Sequence, residues 1–385
     1  MASPESFRIG IDCRMYSSKF TGIGRYVFEL VQHLARIDTK NHYVLFFNEP
    51  EFAKFIPPNK RFTKVNAGAS HYSFGEQTVF FYKLLKEKLD LMHFTHFNAP
   101  ILYRKKSVVT IHDLTLSFFP GNKMRSPFYR SAYRLTLSSS VCNATKVITV
   151  SQNTAKDLQK MFKVPEQKIH TIYEGVTEEF VKNTDEEELE VTKKKFDITK
   201  PFILYTGVWR SHKNLVSLIK AFEILRSKHN EEVQLVITGR QDPLYPEVKR
   251  AAHETKHESD IIFTGMASEQ DLINLYSAAR AYCLPSLYEG FGLSPLEAMQ
   301  CGTPAVVSRA ACLPEICGDN PENPTALFFN PCDPSDIAEK LYTALVNEQV
   351  RNQLITNGLE HVKEFSWEKM ANETLEVYNH ILKRN

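Results

Sequence analysis

The chain reads as an α/β protein built of two doubly wound, Rossmann-like domains, and three observations carry that reading. Its 385 residues exceed one domain of typical size, about 100 to 200 residues, and 43% hydrophobic content suffices for two cores. Short apolar strands alternate with helix-length segments, which argues for parallel sheets. The alternation runs once to about residue 173 and restarts at residue 202.

The first half opens with a strand at Phe7-Arg-Ile-Gly-Ile-Asp12. A loop holding Gly22 and Gly24 follows, then Tyr26, Val27, Leu30, Val31 and Leu34 at helical spacing. Further strands are expected at 43–47, 91–94, 107–111 and 146–150, and Ile169 to Tyr173 ends this half. Glu178 to Lys195, with seven acids and four lysines, has the composition of an exposed connector or solvated helix, and the hinge is expected there. The second half sets strands at 202–206, 234–238, 261–264, 281–284 and 305–307, and each is expected to run into a glycine or a turn. The expected domains are 1–180 and 196–365, with a C-terminal helix in 366–385.

A net charge of +2 gives no global case for nucleic acid, and no aromatic-basic module of known type is present. Charge is uneven, however: between residues 100 and 170 there are twelve Lys or Arg against three acids. Arg104, Lys105, Lys106, Lys123, Arg125, Arg130 and Arg134 are interleaved there with Phe118, Phe119, Phe128, Tyr129 and Tyr133. Region 104–134 is either a peripheral membrane contact or an ordinary solvated helix face. Seven cysteines without a Cys-x-x-Cys pair suggest reduced thiols in a reducing compartment. Met1 to Ser6 lacks an apolar core, and no stretch approaches the ~20 apolar residues of a membrane span. A cytoplasmic protein is expected, with a peripheral place at the inner face of the membrane as the variant reading.

The densest chemistry lies in Glu289-Gly-Phe-Gly-Leu-Ser-Pro-Leu-Glu297. A strand ends before it, and Pro295 to Met299 looks like the first turns of a helix, where Pro costs nothing. Gly290, Phe291 and Gly292 then form a strand-to-helix loop whose N–H groups can approach an anion such as a diphosphate. Glu297 is placed to accept from ribose hydroxyls and Glu289 from a sugar hydroxyl, so the stretch reads as a sugar-nucleotide site. Gly207-Val-Trp-Arg-Ser-His-Lys-Asn-Leu215 also ends a strand and opens a helix, so Arg210, His212 and Lys213 would face whatever binds at the sheet's carboxyl edge. Arg210 is read either as a second phosphate ligand or as merely exposed. His112-Asp113 ends another strand, where a lone histidine is either a satisfied structural residue or one that projects toward the ligand edge. His93 and His96, with Phe94 and Phe97, either line an acceptor cleft or belong to the core. No Asp-x-Asp accompanies a strand end, so no metal is expected.

These motifs resemble, over nearly the full chain, the large family 4 of retaining glycosyltransferases, whose signature Glu289-Gly290-Phe291-Gly292 and Glu297 match residue by residue. The resemblance implies the GT-B architecture, two doubly wound domains facing a cleft, with the last helix crossing back to the first domain. It assigns diphosphate binding to Lys213 and implies an arginine directly after the glycine, where this chain has Val208. It sets Gly22 and Gly24 opposite the donor diphosphate, His112 beside the donor sugar, and Gly265 and Met266 at the base edge. Glu174-Gly175-Val176 stands where many relatives have Asn-Gly-Val and is read as turn chemistry. His112, Glu289 and Lys213 are thus the catalytic expectation.

His-Asp-Leu114 and His-Lys-Asn-Leu215 are similar to mannosyltransferases of bacterial surface polysaccharide assembly. The expected activity is retaining transfer of a hexose, mannose favoured, from a nucleoside diphosphate sugar to a glycan or lipid-linked acceptor. GDP-mannose is favoured over a UDP-sugar, with no other cofactor. A sugar-nucleotide epimerase or hydrolase and a non-catalytic nucleotide-sugar-binding protein are the alternatives.

Overall fold

A computed structural model describes residues 6–16, 22–121, 124 and 126–383. The chain forms two compact units, Met1–Gly175 with Ser366–Asn385 and Val176–Phe365. Residues 178–195, read from sequence as an exposed connector or solvated helix, belong to the second unit, which begins at Val176. There Glu186–Lys195 is a helix capped by Asp185 and packed on the helix Glu269–Ala278.

The first unit holds strands β1 (Arg8–Asp12), β2 (His42–Phe47), β3 (Phe62–Asn66), β4 (Leu91–Phe94), β5 (Ser107–Ile111), β6 (Lys146–Thr149) and β7 (Ile169–Thr171). Their order is β3-β2-β1-β4-β5-β6-β7, with every pair parallel. β4 and β5 are buried along their whole length, as expected of strands covered on both faces. The helix Gly22–Ile37 buries Tyr26, Val27, Leu30, Val31 and Leu34, the five positions whose spacing marks it in the sequence. Gly22 and Gly24 are the correction: they lie inside the first turn of this helix, not in the loop before it, and residues 17–21 lie outside the described residues.

The helix Trp367–Leu382 belongs to this unit and packs on Gly22–Ile37. Tyr378 on it lies with its hydroxyl 2.5 Å from Nδ1 of His93, while Nε2 of His93 is 2.8 Å from Thr110 Oγ1. His93 is fully buried, so of its two readings the core one holds. Gly175 has no room for a side chain, because a Cβ there would sit 2.1 Å from the Trp367 backbone nitrogen.

The second unit holds β8 (Phe202–Thr206), β9 (Gln234–Thr238), β10 (Ile261–Gly265), β11 (Ala281–Leu284), β12 (Ala305–Ser308) and β13 (Ala326–Phe329). They are ordered β10-β9-β8-β11-β12-β13, again all parallel. The strand order reverses at β1/β4 in the first sheet and at β8/β11 in the second. Ligands of open α/β sheets bind outside the carboxyl ends at such a switch point.

Candidate functional site

In the second unit the loops leaving β8 and β11 meet at the switch point and are bonded to one another. Leu287 N–H donates to the His212 carbonyl at 2.7 Å. Asn214, in the left-handed region at φ 57°, donates its amide to the Pro285 carbonyl at 3.1 Å and to the Pro331 carbonyl at 2.8 Å. Asparagine tolerates that backbone conformation where most side chains are strained, so the residue after Lys213 both turns the chain and ties the two loops.

Lys213 and Glu289, predicted separately from two motifs, are brought into direct contact. The Lys213 ammonium donates to both Glu289 oxygens, at 2.7 and 2.9 Å, and Ser286 Oγ adds a bond of 2.6 Å to Oε1. Burial would raise the Glu289 carboxyl, but the Lys213 charge and the bonds from Lys213 and Ser286 hold it below the ordinary carboxylate range. Gly292, at φ 97°, caps the helix Leu293–Gln300, and a Cβ there would meet Leu313 at 2.8 Å. Glu297 rides on that helix and accepts from Tyr276 Oη at 3.0 Å. Tyr276 is linked in turn to Thr206 at 2.8 Å, and Thr206 to Tyr282 at 3.3 Å.

Three glycines end the adjacent strands β8, β9 and β10. Gly207 N–H donates to the Thr238 carbonyl at 3.0 Å, and Gly239 N–H to the Gly265 carbonyl at 2.8 Å. All three have positive φ, and Met266 beyond Gly265 is 74% exposed. Arg210 is not a free cation: it is ion-paired with Asp242, and its guanidinium lies 5.6 Å from the Tyr245 ring centre. Val208 is exposed beside it.

His112 lies in the first unit. Its ring is buried against Tyr26, edge to face with centres 4.8 Å apart, and both ring nitrogens are engaged. Nδ1 is 3.0 Å from Glu174 Oε1, and Nε2 is 3.0 Å from the Thr95 carbonyl. Asp113 accepts from Thr115 N–H at 2.7 Å, which braces the loop after β5.

At the carboxyl end of β1, Arg14 forks onto Asp12 at 2.7 and 2.9 Å and reaches Glu76 at 3.0 Å, all three side chains buried. Burial pushes both carboxyls up; the Arg14 charge wins at Asp12, which is held low, and does not win at Glu76, which is raised. Sequence reasoning missed this network because its members are far apart in the chain. It also read Glu174 only as turn chemistry and gave no role to Ser286 or Asp242. No turn forms at Glu174; the signal for it was a carboxylate just past the last strand of the first half, β7.

Residues 186–361 match the family model of glycosyl transferases group 1, and residues 20–180 match that of Glycosyltransferase Family 4. O-antigen chain mannosyltransferase B of Escherichia coli is 28% identical over 384 residues, with 93% of this chain and 96% of that protein covered. The serotype-specific mannosyltransferase WbdA of Escherichia coli is 29% identical over 280 residues, which is 72% of this chain and 34% of WbdA. The sucrose-phosphate synthase of Thermosynechococcus elongatus superposes with a TM-score of 0.78, covering 97% of this chain and 99% of that one. At 20% identity that is a likeness of fold.

Proposed function

The chain belongs to the GT-B glycosyltransferases of the group 1 and family 4 type, and from that premise we propose that it is a retaining mannosyltransferase. The donor is a nucleoside diphosphate mannose, GDP-mannose before a UDP-sugar, and the acceptor a hydroxyl of a glycan or lipid-linked saccharide. The relatives' names support the sugar, since O-antigen chain mannosyltransferase B matches along almost its whole length. The observation that carries the reading is the Lys213–Glu289 pair beside the Gly290–Gly292 loop, at the switch point where an α/β sheet takes its ligand.

In this reading Lys213 and the N–H groups at the start of the helix Leu293–Gln300 hold the donor diphosphate, without a metal. Glu289, released from Lys213 as phosphate takes its place, orients the sugar hydroxyls, and Glu297 holds the ribose. Gly265 and Met266 take the base, and Gly22 and Gly24 keep the diphosphate-side role that the family resemblance gives them. The bond from the anomeric carbon to the leaving phosphate oxygen breaks as the bond to the acceptor oxygen forms on the same face. The acceptor proton passes to that phosphate oxygen, so no protein nucleophile is required. His112 keeps the sugar-side role that the family resemblance gives it. Arg210 stands in for the arginine absent at Val208 only by leaving Asp242.

The place of work is the cytoplasmic side, with peripheral membrane contact through region 104–134. Phe128, Tyr129 and Leu135 are exposed there beside exposed Arg130 and Arg134, on the helix Pro127–Asn143. Lys123 and Arg125 of that region lie outside the described residues. No helix of the described residues is long and apolar enough to cross a membrane.

The test is a transfer assay with GDP-mannose and UDP-glucose on mannosylated acceptors, in the presence of a chelator, with the anomeric configuration of the product read by NMR. Retained configuration with GDP-mannose is expected. Donor cleavage without acceptor would make the protein a hydrolase, and loss of activity to the chelator would end the metal-free mechanism. Lys213→Ala should lower kcat by roughly a hundredfold or more, and Glu297→Ala should weaken donor binding.

A further inference from the structure

We propose that Glu174 is a positioning residue that holds His112 as an imidazolium, with both ring nitrogens donating. The functional half of this proposal rests on the reading of His112 as a site residue; the protonation half does not.

The Thr95 carbonyl can only accept, so the Nε2 atom 3.0 Å from it carries a proton. Were His112 neutral, Nδ1 would then present a lone pair to the Glu174 carboxylate 3.0 Å away, a repulsion in a site where His112 is 7% and Glu174 4% exposed. The contact is attractive only if a second proton lies between them. We place that proton on His112, so that the buried Glu174 carboxylate is paired with an opposite charge 3.0 Å away.

The surroundings agree. Tyr26 from the first helix, His93 on β4 and His96 just beyond it are titratable neighbours, and the Asp12 charge at the end of β1 acts on those two histidines. Asp113 follows His112 in the chain and is turned to Thr115. Burial, and then the charge at His112, pushes both His93 and His96 down to about 3, so they stay neutral beside it. Of these three histidines, His112 has the carboxylate partner.

The glutamate therefore does two things an amide at the same place could not do together: it fixes the ring against the Thr95 carbonyl and fixes its charge. Glu174→Gln separates them. Glutamine keeps the size and can donate to Nδ1, which leaves His112 neutral in the same orientation.

The experiment is nitrogen NMR of the full-length protein with labelled histidine at pH 7, the His112 signals assigned by their loss in His112→Gln. In the parent protein both ring nitrogens are expected to be protonated, and in Glu174→Gln only one. A single protonated nitrogen in the parent overturns the proposal whatever the enzyme's activity, so its failure is distinct from failure of the mannosyltransferase reading. For the functional half, Glu174→Gln should lower kcat roughly ten- to a hundredfold, the scale seen when the carboxylate behind a working histidine is removed. Its pH–rate profile should also shift, while the thermal midpoint is kept. Unchanged kcat and pH profile in Glu174→Gln would overturn the positioning role. Glu174→Asp, which keeps the charge, should recover part of the rate.

Discussion

Glu289 is held from two sides, its carboxylate by Lys213 and Ser286 and its backbone by a residue with no place in the sequence motif. The Cys312 thiol lies 3.2 Å from the Glu289 carbonyl and 3.1 Å from the Phe291 carbonyl, so one fully buried donor bridges both ends of the turn. Burial, and then the neighbouring Glu289 charge, pushes this thiol well up, which keeps it protonated and able to donate. Cys312→Ser preserves the donor and should leave donor affinity within a few-fold of the parent. Cys312→Val, similar in bulk but without a donor, removes the thiol's weak bond from both carbonyls and should cost about 1 kcal/mol of stability. The donor KM should rise with it, and equal donor KM values for the Ser and Val variants would show that the bridge does not shape the loop. From the sequence the cysteine reads only as a small buried residue, because its bonding partners are 21 and 23 positions away.

At the scale of elements, the strand ends decide the shape of the site. Gly239 cannot carry a side chain: its Cβ would fall 2.2 Å from the Gly207 carbonyl oxygen, in a backbone at φ 127°. Gly265 also has positive φ, 70°, but nothing lies within 4 Å of its would-be Cβ. Gly239→Ala should therefore cost about 2–4 kcal/mol, steric clash added to backbone strain, and Gly265→Ala only about 1–2 kcal/mol, strain alone. Chemical denaturation measures both; equal costs would mean the β8 and β9 ends separate to admit a methyl.

The glycines were legible because each follows an apolar run. Strands with apolar residues on both faces, such as β5, β8, β9 and β11, were legible for the same reason and fall where the sequence sets them. The edge strands β3 and β13 were not. β3, Phe-Thr-Lys-Val-Asn, is polar at three of its five positions, and its Lys64 turns back to the Phe52 and Phe55 carbonyls, so it carries little of the buried-strand signal. The early start of the first helix, with Gly22 and Gly24 inside it, was hidden because glycine is a poor helix former and reads as loop.

Over the whole chain, apolar periodicity announces two cores, but which distant side chains meet inside them stays hidden. His112 and Glu174 are 62 positions apart and His93 and Tyr378 are 285. These contacts give the two units different responses to acid. In the first unit burial, the largest cause in each case, pushes His93 and His96 down to about 3 and His71 to about 4. A histidine depressed in the folded state takes up protons first in the unfolded chain. The stability it contributes is therefore whole above the unfolded value near 6.5 and is lost as pH falls toward the folded one. Each such group costs up to about 2 kcal/mol between pH 6.5 and 5.

In the second unit the groups held low are carboxylates, Glu289 and Asp271 among them, whose contribution survives until the carboxylate range. The chain's two tryptophans report the units separately, both buried: Trp367 in the first and Trp209 in the second. With Trp209→Phe, leaving Trp367 as reporter, the urea midpoint should fall steeply from pH 6.5 to 5. With Trp367→Phe, leaving Trp209, it should hold nearly level over the same range. Midpoints that fall together would show that acid lability is not seated in the buried histidines of the first unit, or that the units do not unfold separately.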